Sequence, residues 1–119
     1  MAEIQRVRPG EIDTNTMAVM DVRRHAHKEQ VRGAVRYDPK ALLAEEPLAL
    51  PFGHEERIVV YGDDDPEAER VAQHLCENGF ANAAVLEGGL DAYRSAGLPT
   101  EEITQTQPVP GSESGIPPL

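Results

Sequence analysis

The sequence predicts an α/β fold in which a mainly parallel sheet of about five short strands is flanked by helices on both faces. Two observations support this fold class. Short apolar runs alternate along the chain with segments of helical periodicity, as in sheets whose parallel strands are joined by helices. The runs at 18–22 and 58–61 are largely continuous in apolar residues, which is typical of strands covered on both faces.

The individual elements follow in chain order. Strands are predicted at 4–7, 18–22, 34–37, 58–61 and 83–86, and helices at 40–44, 66–78 and 90–95. Proline and glycine mark the connections, at Pro9, Pro47, Pro51 and Gly97. The segment 23–30 is polar and basic, and it is predicted to be a loop or a helical turn.

The helix at 66–78 has the clearest end signals. Asp65 is the predicted N-cap, Pro66 fits the first helical position, and Gly79 suits the position after the last turn. One stripe of apolar residues recurs at helical spacing: Ala68, Val71, Ala72, Leu75 and Cys76. Cys76, the single cysteine, is therefore expected to serve as a small hydrophobic residue of this stripe.

Length and charge limit the classes of function. A chain of 119 residues supports one domain, placed at 1–100, and the apolar-poor tail at 101–119 is predicted to be disordered. The formal net charge of −10 disfavours nucleic acid and anionic membrane surfaces as partners. We expect a cytoplasmic protein, because no apolar segment suits a signal peptide or a membrane span and a single cysteine excludes an intrachain disulfide.

Three motifs occur in order along the chain. Met20 to Arg23 read MDVR at the end of a strand, a loop at 62–68 follows the central strand, and residues 86–93 read LEGGLDAY. Together they resemble the rhodanese-like domain family over about residues 4–100. The resemblance implies a three-layer fold and, in active members, sulfur transfer through a cysteine persulfide held at the start of the loop.

The loop departs from the family pattern at every residue that sulfur transfer requires. The family loop Cys-x-x-Gly-x-Arg-Ser falls here on Gly62, Asp63, Asp64, Asp65, Pro66, Glu67 and Ala68. Glycine has no nucleophilic side chain. Each carboxylate near a bound anion would make the free energy of anion binding less favourable by about 1 to 4 kcal/mol at a surface-like effective dielectric. Sulfur transfer through Gly62 is therefore excluded, and the loop favours a protein that is not an enzyme over a sulfurtransferase of the rhodanese type that uses another residue.

Three functions are consistent with this sequence. The first is a non-catalytic module without a cofactor, which binds a protein partner at a rim formed by Asp21, Arg23, Gly62, Asp63 and Asp64. The second is a sulfurtransferase or sulfur relay that uses Cys76. In the third, the acidic loop binds a cation or a small molecule. Asp21 and Arg23 are expected to fix the strand end, and the basic residues near Arg24 to pair with the acidic loop.

Overall fold

A computed structural model describes residues 4–24, 28–45 and 47–103 of the chain. The strands are β1 (Gln5–Val7), β2 (Met17–Asp21), β3 (Glu29–Val31), β4 (Val35–Arg36), β5 (Arg57–Tyr61), β6 (Ala83–Leu86) and β7 (Thr100–Glu102). The α-helices are α1 (Pro39–Ala44), α2 (Asp65–Glu77) and α3 (Gly89–Ser95), and Pro9–Glu11 forms a 3-10 helix. Each strand and helix predicted from the sequence is present, with ends that shift by at most one residue.

The central sheet has five parallel strands in the order β1-β6-β5-β2-β4, which confirms the predicted fold class. β5 lies in the middle, and Met20 and Asp21 of β2 pair with Val60 and Tyr61 of β5. Because the strands are parallel, the loops that follow β2, β5 and β6 all leave the same edge of the sheet. That edge is where the resemblance places the loop at 62–68.

Successive residues of β5 contact opposite faces of the sheet. Ile58 and Val60 pack in one core cluster with Leu42 of α1 and Leu75 of α2. Val59 and Tyr61 belong to a second cluster, with Leu90 and Tyr93 of α3. This period of two, on a strand that is buried from Ile58 to Tyr61, places helices on both faces and produces the three layers that the resemblance implied.

The start of α2 differs from the prediction by one residue. The N-cap is Asp64, whose backbone is extended (φ −148°, ψ 164°) and whose side chain accepts a hydrogen bond from the Glu67 N–H. Asp65 is the first helical residue, so Pro66 occupies the second position. The sequence signal was ambiguous because Asp64 and Asp65 are equally good capping residues and proline is tolerated throughout the first turn.

The end of α2 follows the prediction. Gly79 has φ of +97°, a left-handed conformation that glycine adopts without strain. The Phe80 N–H donates to the Leu75 carbonyl at 3.0 Å, and the Gly79 N–H donates to the Cys76 carbonyl at 3.2 Å. This pair of hydrogen bonds is a Schellman motif, and it satisfies carbonyl groups that the last turn leaves without intrahelical donors.

A second, two-stranded sheet was not predicted. β3 pairs antiparallel with β7, so Glu29 lies opposite Glu102 and Val31 opposite Thr100. Two predictions are corrected here: 29–30 is strand rather than loop or helical turn, and the ordered fold extends past residue 100 into Glu101 and Glu102. Each strand forms only because the other pairs with it from about seventy positions away, a long-range contact that local patterns do not contain. Residues 104–119, predicted to be a disordered tail, lie outside the described part of the chain.

The surface of the described residues is polar. Among them, Leu43 is the large hydrophobic residue that is exposed, and it is exposed by 36%. Within the same ranges, no helix combines the length and apolar character needed to cross a bilayer.

Candidate functional site

A cavity of about 250 Å³ lies at the edge of the sheet where β2, β5 and β6 end. We call it the rim cleft. It is lined by four aspartates, three glycines, two arginines and a leucine: Asp63, Asp64, Asp65, Asp91, Gly62, Gly88, Gly89, Arg23, Arg94 and Leu90. Ligands of parallel α/β sheets bind at this edge, so the rim cleft is the candidate site.

Gly62 follows β5 directly and contributes backbone to the rim cleft. Its φ angle is outside the left-handed region that requires glycine. A Cβ atom added to Gly62 would lie 3.3 Å from Val22 Cγ2, 3.5 Å from Glu67 Oε1 and 3.7 Å from the Ala68 nitrogen. A side chain would thus fit at this position after a shift of a few tenths of an ångström by Val22, so the fold does not require a glycine there.

Asp63 joins the loop to the segment that follows β2. Its Oδ2 accepts a hydrogen bond of 2.9 Å from the Arg24 backbone N–H. The Arg24 guanidinium, in turn, forms an ion pair with Glu67 Oε2. The acidic loop is therefore paired with the basic segment, as the sequence predicted for Arg24.

Asp64 and Asp65 hold two further segments. Asp64 Oδ1 accepts from the Glu67 N–H at 2.8 Å and so caps α2. Asp65 Oδ2 accepts from the Gly88 N–H at 3.2 Å, which ties the loop to the turn before α3, and it also lies 3.4 Å from Arg6 Nη1. Together with Asp63, these aspartates bind backbone amides in three different segments. Asp63 and Asp65 act as cross-links between the loops around the rim cleft, and Asp64 caps the helix locally.

Glu67 is buried beside Gly62, which sequence reasoning missed. The residue is 5% exposed, and Oε1 has no hydrogen-bond partner within the described ranges. From the sequence it was identified only as a loop residue at which the family pattern has arginine. The signal available was its spacing: Glu67 precedes Val71 by four residues and so shares the buried face of α2.

A buried network lies beneath the rim cleft. Arg23 Nη2 lies 2.7 Å from Asp21 Oδ2 and donates to the Glu29 carbonyl at 2.6 Å. The Tyr61 hydroxyl donates to Asp21 Oδ2 at 3.0 Å and accepts from the Val31 N–H at 3.0 Å. Asp21 is fully buried and Arg23 is 7% exposed, so Asp21 lies under the rim rather than on it, which corrects its place in the predicted contact surface. The Asp21–Arg23 ion pair fixes the C-terminal end of β2.

The network also raises the pKa values of Tyr61 and Arg23. Burial, together with the neighbouring charge of Asp21, raises the pKa of Tyr61 far above its ordinary value of 10.0. Burial alone would lower the pKa of Arg23, but the hydrogen bond and charge of Asp21 outweigh it and raise that pKa overall. Tyr61 is therefore a neutral hydrogen-bond donor and Arg23 a fixed positive charge.

Cys76 lies far from the rim cleft. It is near the C-terminal end of α2, about 16 Å along the helix axis from Asp65 at 1.5 Å per residue. Its side chain is partly exposed and packs against the first core cluster, with Sγ 4.0 Å from the Ala81 carbonyl oxygen. Gly62 and Cys76 are therefore at opposite ends of α2.

The acidic residues do not assemble a metal-ligand set. Within residues 4–24, 28–45 and 47–103, no group of three histidine, cysteine, aspartate or glutamate side chains converges on one point. The reason is visible in the loop, where each of three consecutive aspartates binds a different backbone amide.

The fold and this site define a class of protein. Residues 10–96 match the profile of the rhodanese-like domain. This match covers more than half of the chain, which therefore belongs to the rhodanese-like domain family.

Particular relatives agree with this assignment. The chain is 35% identical over 65 residues to the thiosulfate sulfurtransferase YnjE of Escherichia coli, an alignment that covers 55% of this chain and 14% of that protein. A thiosulfate sulfurtransferase from Pseudomonas aeruginosa superposes with a TM-score of 0.68 at 26% identity, covering 82% of this chain and 20% of that one. The rhodanese-like domain of the Anabaena sp. Alr3790 protein shares the fold, with a TM-score of 0.68, 23% identity and coverage of 86% and 81%.

The difference in length matters for function. The chain spans about one seventh of the curated relative and one fifth of the Pseudomonas protein. It corresponds to a part of those enzymes.

Proposed function

We propose that this chain is a non-catalytic rhodanese-like module that binds a protein partner at the rim cleft. The observation that carries the proposal is Gly62, which follows the central strand at the position where the family holds its nucleophile. Sulfur transfer by this family requires a side-chain atom that bonds covalently to sulfur, and glycine provides none. The residues that line the described cleft carry no thiol.

The loop's own contacts support the same proposal. In an anion site at a helix N-terminus, backbone N–H groups point at the ligand. Here the Glu67 and Gly88 amides donate to Asp64 and Asp65. Donors that would serve a bound anion are therefore satisfied by the chain's own carboxylates, which favours a loop kept for its shape.

The surface indicates the character of the partner. An obligate interface is normally rich in exposed apolar residues, but among the described residues only Leu43 is a large exposed hydrophobic. The rim cleft instead presents aspartates such as Asp91, and the whole chain carries a formal net charge of −10. A polar contact with a basic partner surface fits these charges.

Two measurements test the proposal. Sulfur transfer from thiosulfate to cyanide should stay at the uncatalysed rate, and turnover that requires the protein would refute the non-catalytic module. The alternative through Cys76 predicts fast alkylation of the native thiol and loss of any activity in Cys76→Ser; we expect slow alkylation, since the thiol packs against the core.

Partner binding is tested with a pair of charge reversals. Asp91→Lys changes an exposed residue of the rim cleft, and Glu55→Lys makes the same change at an exposed residue outside the cleft lining. A partner captured by the native protein should be lost with Asp91→Lys and retained with Glu55→Lys. Equal retention by both variants would place the contact elsewhere.

A further inference from the structure

We propose that Glu67 determines which charge the rim cleft accepts. Its buried carboxylate excludes anions from the space above Gly62 and favours a cationic group, the ammonium or guanidinium of a partner's lysine or arginine. This inference rests on the proposed function, because it names the chemistry of the partner group that binds at the rim.

The position of Glu67 supports this role. Oε1 lies 3.5 Å from the position that a Cβ atom on Gly62 would occupy, so it is next to a residue that lines the rim cleft. The residue is 5% exposed, and no hydrogen-bond donor from the described residues reaches Oε1. A charge separated from a ligand by protein rather than water acts through a lower effective dielectric, so it is felt several times more strongly.

The three loop aspartates are weaker candidates. Asp63 and Asp64 are exposed and Asp65 is partly exposed, so solvent and salt screen their charges. Each also accepts a hydrogen bond from a backbone amide, and that partial positive charge offsets part of its field. Glu67 differs from them in burial: its Oε1 is buried and has no donor among the described residues, while its Oε2 is paired with Arg24.

The arginines at the cleft have their charges offset. Arg23 is paired with Asp21 at 2.7 Å, and Arg94 Nε lies 3.0 Å from Glu29 Oε1. Arg24 pairs with Glu67 through Oε2 and offsets part of the carboxylate charge. Oε1, the oxygen beside Gly62, has no donor among the described residues and remains available to a cationic group.

The shape of the cleft suits a slender cationic group. Its floor includes Gly62, Gly88 and Gly89, which have no side chains to fill it. A Cβ on Gly89 would find only the Gly62 carbonyl oxygen, at 3.9 Å. That oxygen is a hydrogen-bond acceptor between two residues that line the cleft, and acceptors and carboxylates together match the donors of ammonium and guanidinium groups.

An NMR titration of the whole chain tests the proposal. The amide signals of Gly62, Gly88 and Gly89 are followed with sodium sulfate and with methylguanidinium chloride at matched ionic strength. We expect a saturable shift with methylguanidinium and none with sulfate. In Glu67→Gln, which keeps the side-chain volume, methylguanidinium should bind about tenfold more weakly, and sulfate should begin to bind. The control Glu55→Gln removes an exposed charge outside the cleft lining and should change affinity less than about threefold.

Two results would overturn the inference. Unchanged isotherms in Glu67→Gln would show that this carboxylate does not control the cleft, and sulfate binding by the native protein would show that anions are not excluded. If Glu67→Gln does not fold, Gly62→Cys in a Cys76→Ser background reports the same field. The introduced thiol should have a pKa about one unit or more above the usual 8.5, measured from the pH dependence of iodoacetamide alkylation; an ordinary or lowered pKa contradicts the proposal.

Failure of this inference is distinct from failure of the proposed function. Sulfur transfer by the native chain would refute the non-catalytic module and leave the isotherms as they are. Binding isotherms that do not change in Glu67→Gln would refute the charge selection. They would leave the absence of sulfur transfer and the Asp91→Lys result unaffected.

Discussion

Replacing Tyr61 by phenylalanine tests the buried network under the rim cleft. The substitution removes one oxygen that makes two hydrogen bonds of 3.0 Å, to Asp21 Oδ2 and from the Val31 N–H. All three residues are fully buried, so water cannot replace the lost partners. The Val31 N–H left without an acceptor costs about 1–3 kcal/mol, and loss of a hydrogen bond to the charged Asp21 carboxylate costs about 1.5–3 kcal/mol.

We expect Tyr61→Phe to lower the free energy of unfolding by about 2–4 kcal/mol, since Asp21 keeps its contacts with Arg23. The measurement is urea unfolding followed by circular dichroism. Tyr93→Phe is the matched control, because its ring is also buried but its hydroxyl makes one hydrogen bond of 2.8 Å to the neutral Pro99 carbonyl. That control should cost about 0.5–1.5 kcal/mol. If Tyr61→Phe costs no more than Tyr93→Phe, the network does not stabilise the fold as argued.

Further predictions concern pH, the helix cap and a turn. Because the pKa of Tyr61 is raised in the folded protein, only the unfolded chain loses this proton above about pH 10. The free energy of unfolding should therefore fall above pH 10 by up to about 1.4 kcal/mol per pH unit from this group. Urea unfolding curves at about pH 9 and 11 should show a smaller loss of stability between the two pH values in Tyr61→Phe than in the native protein. Asp64→Ala should lower the free energy of unfolding, measured in urea, by about 0.5–2 kcal/mol, because it removes the N-cap of α2. Asp65→Ala should lower it by less. If Asp65 were the cap, Asp65→Ala would be the more destabilising of the two. Gly79→Ala should lower the free energy of unfolding by more than about 1 kcal/mol, because φ of Gly79 is +97° and a Cβ there would lie 2.7 Å from His54 Nδ1. Gly53→Ala is the control, since a Cβ at Gly53 would have no atom within 4 Å. Its thermal melt should match that of the native protein.

Local patterns predicted the strands and helices of the central sheet well. The continuous apolar run at 58–61 became β5, and the capping, proline and glycine signals around 66–79 placed α2 to within one residue. These features depend on interactions between near neighbours in the chain. They are therefore readable from composition and spacing.

The site was predicted in outline and missed in its contacts. Gly62 and its three aspartates were identified, and Arg24 was expected to pair with the acidic loop. The roles of Asp63 and Asp65 were not predicted, because each binds an amide in a segment that meets the loop only in the folded chain. The cap at Asp64 is a local contact, but the sequence did not distinguish it from a cap at Asp65.

By itself, the sequence predicted the family and the three-layer architecture and placed a glycine directly after the central strand, since each follows from residue identity or from short-range order. The tertiary structure decided which charges are exposed and which are buried. Asp21 is under the rim, Glu67 lies beside Gly62, and β3 pairs with β7. Burial and long-range pairing depend on which surfaces of distant segments meet, and a linear pattern does not record that.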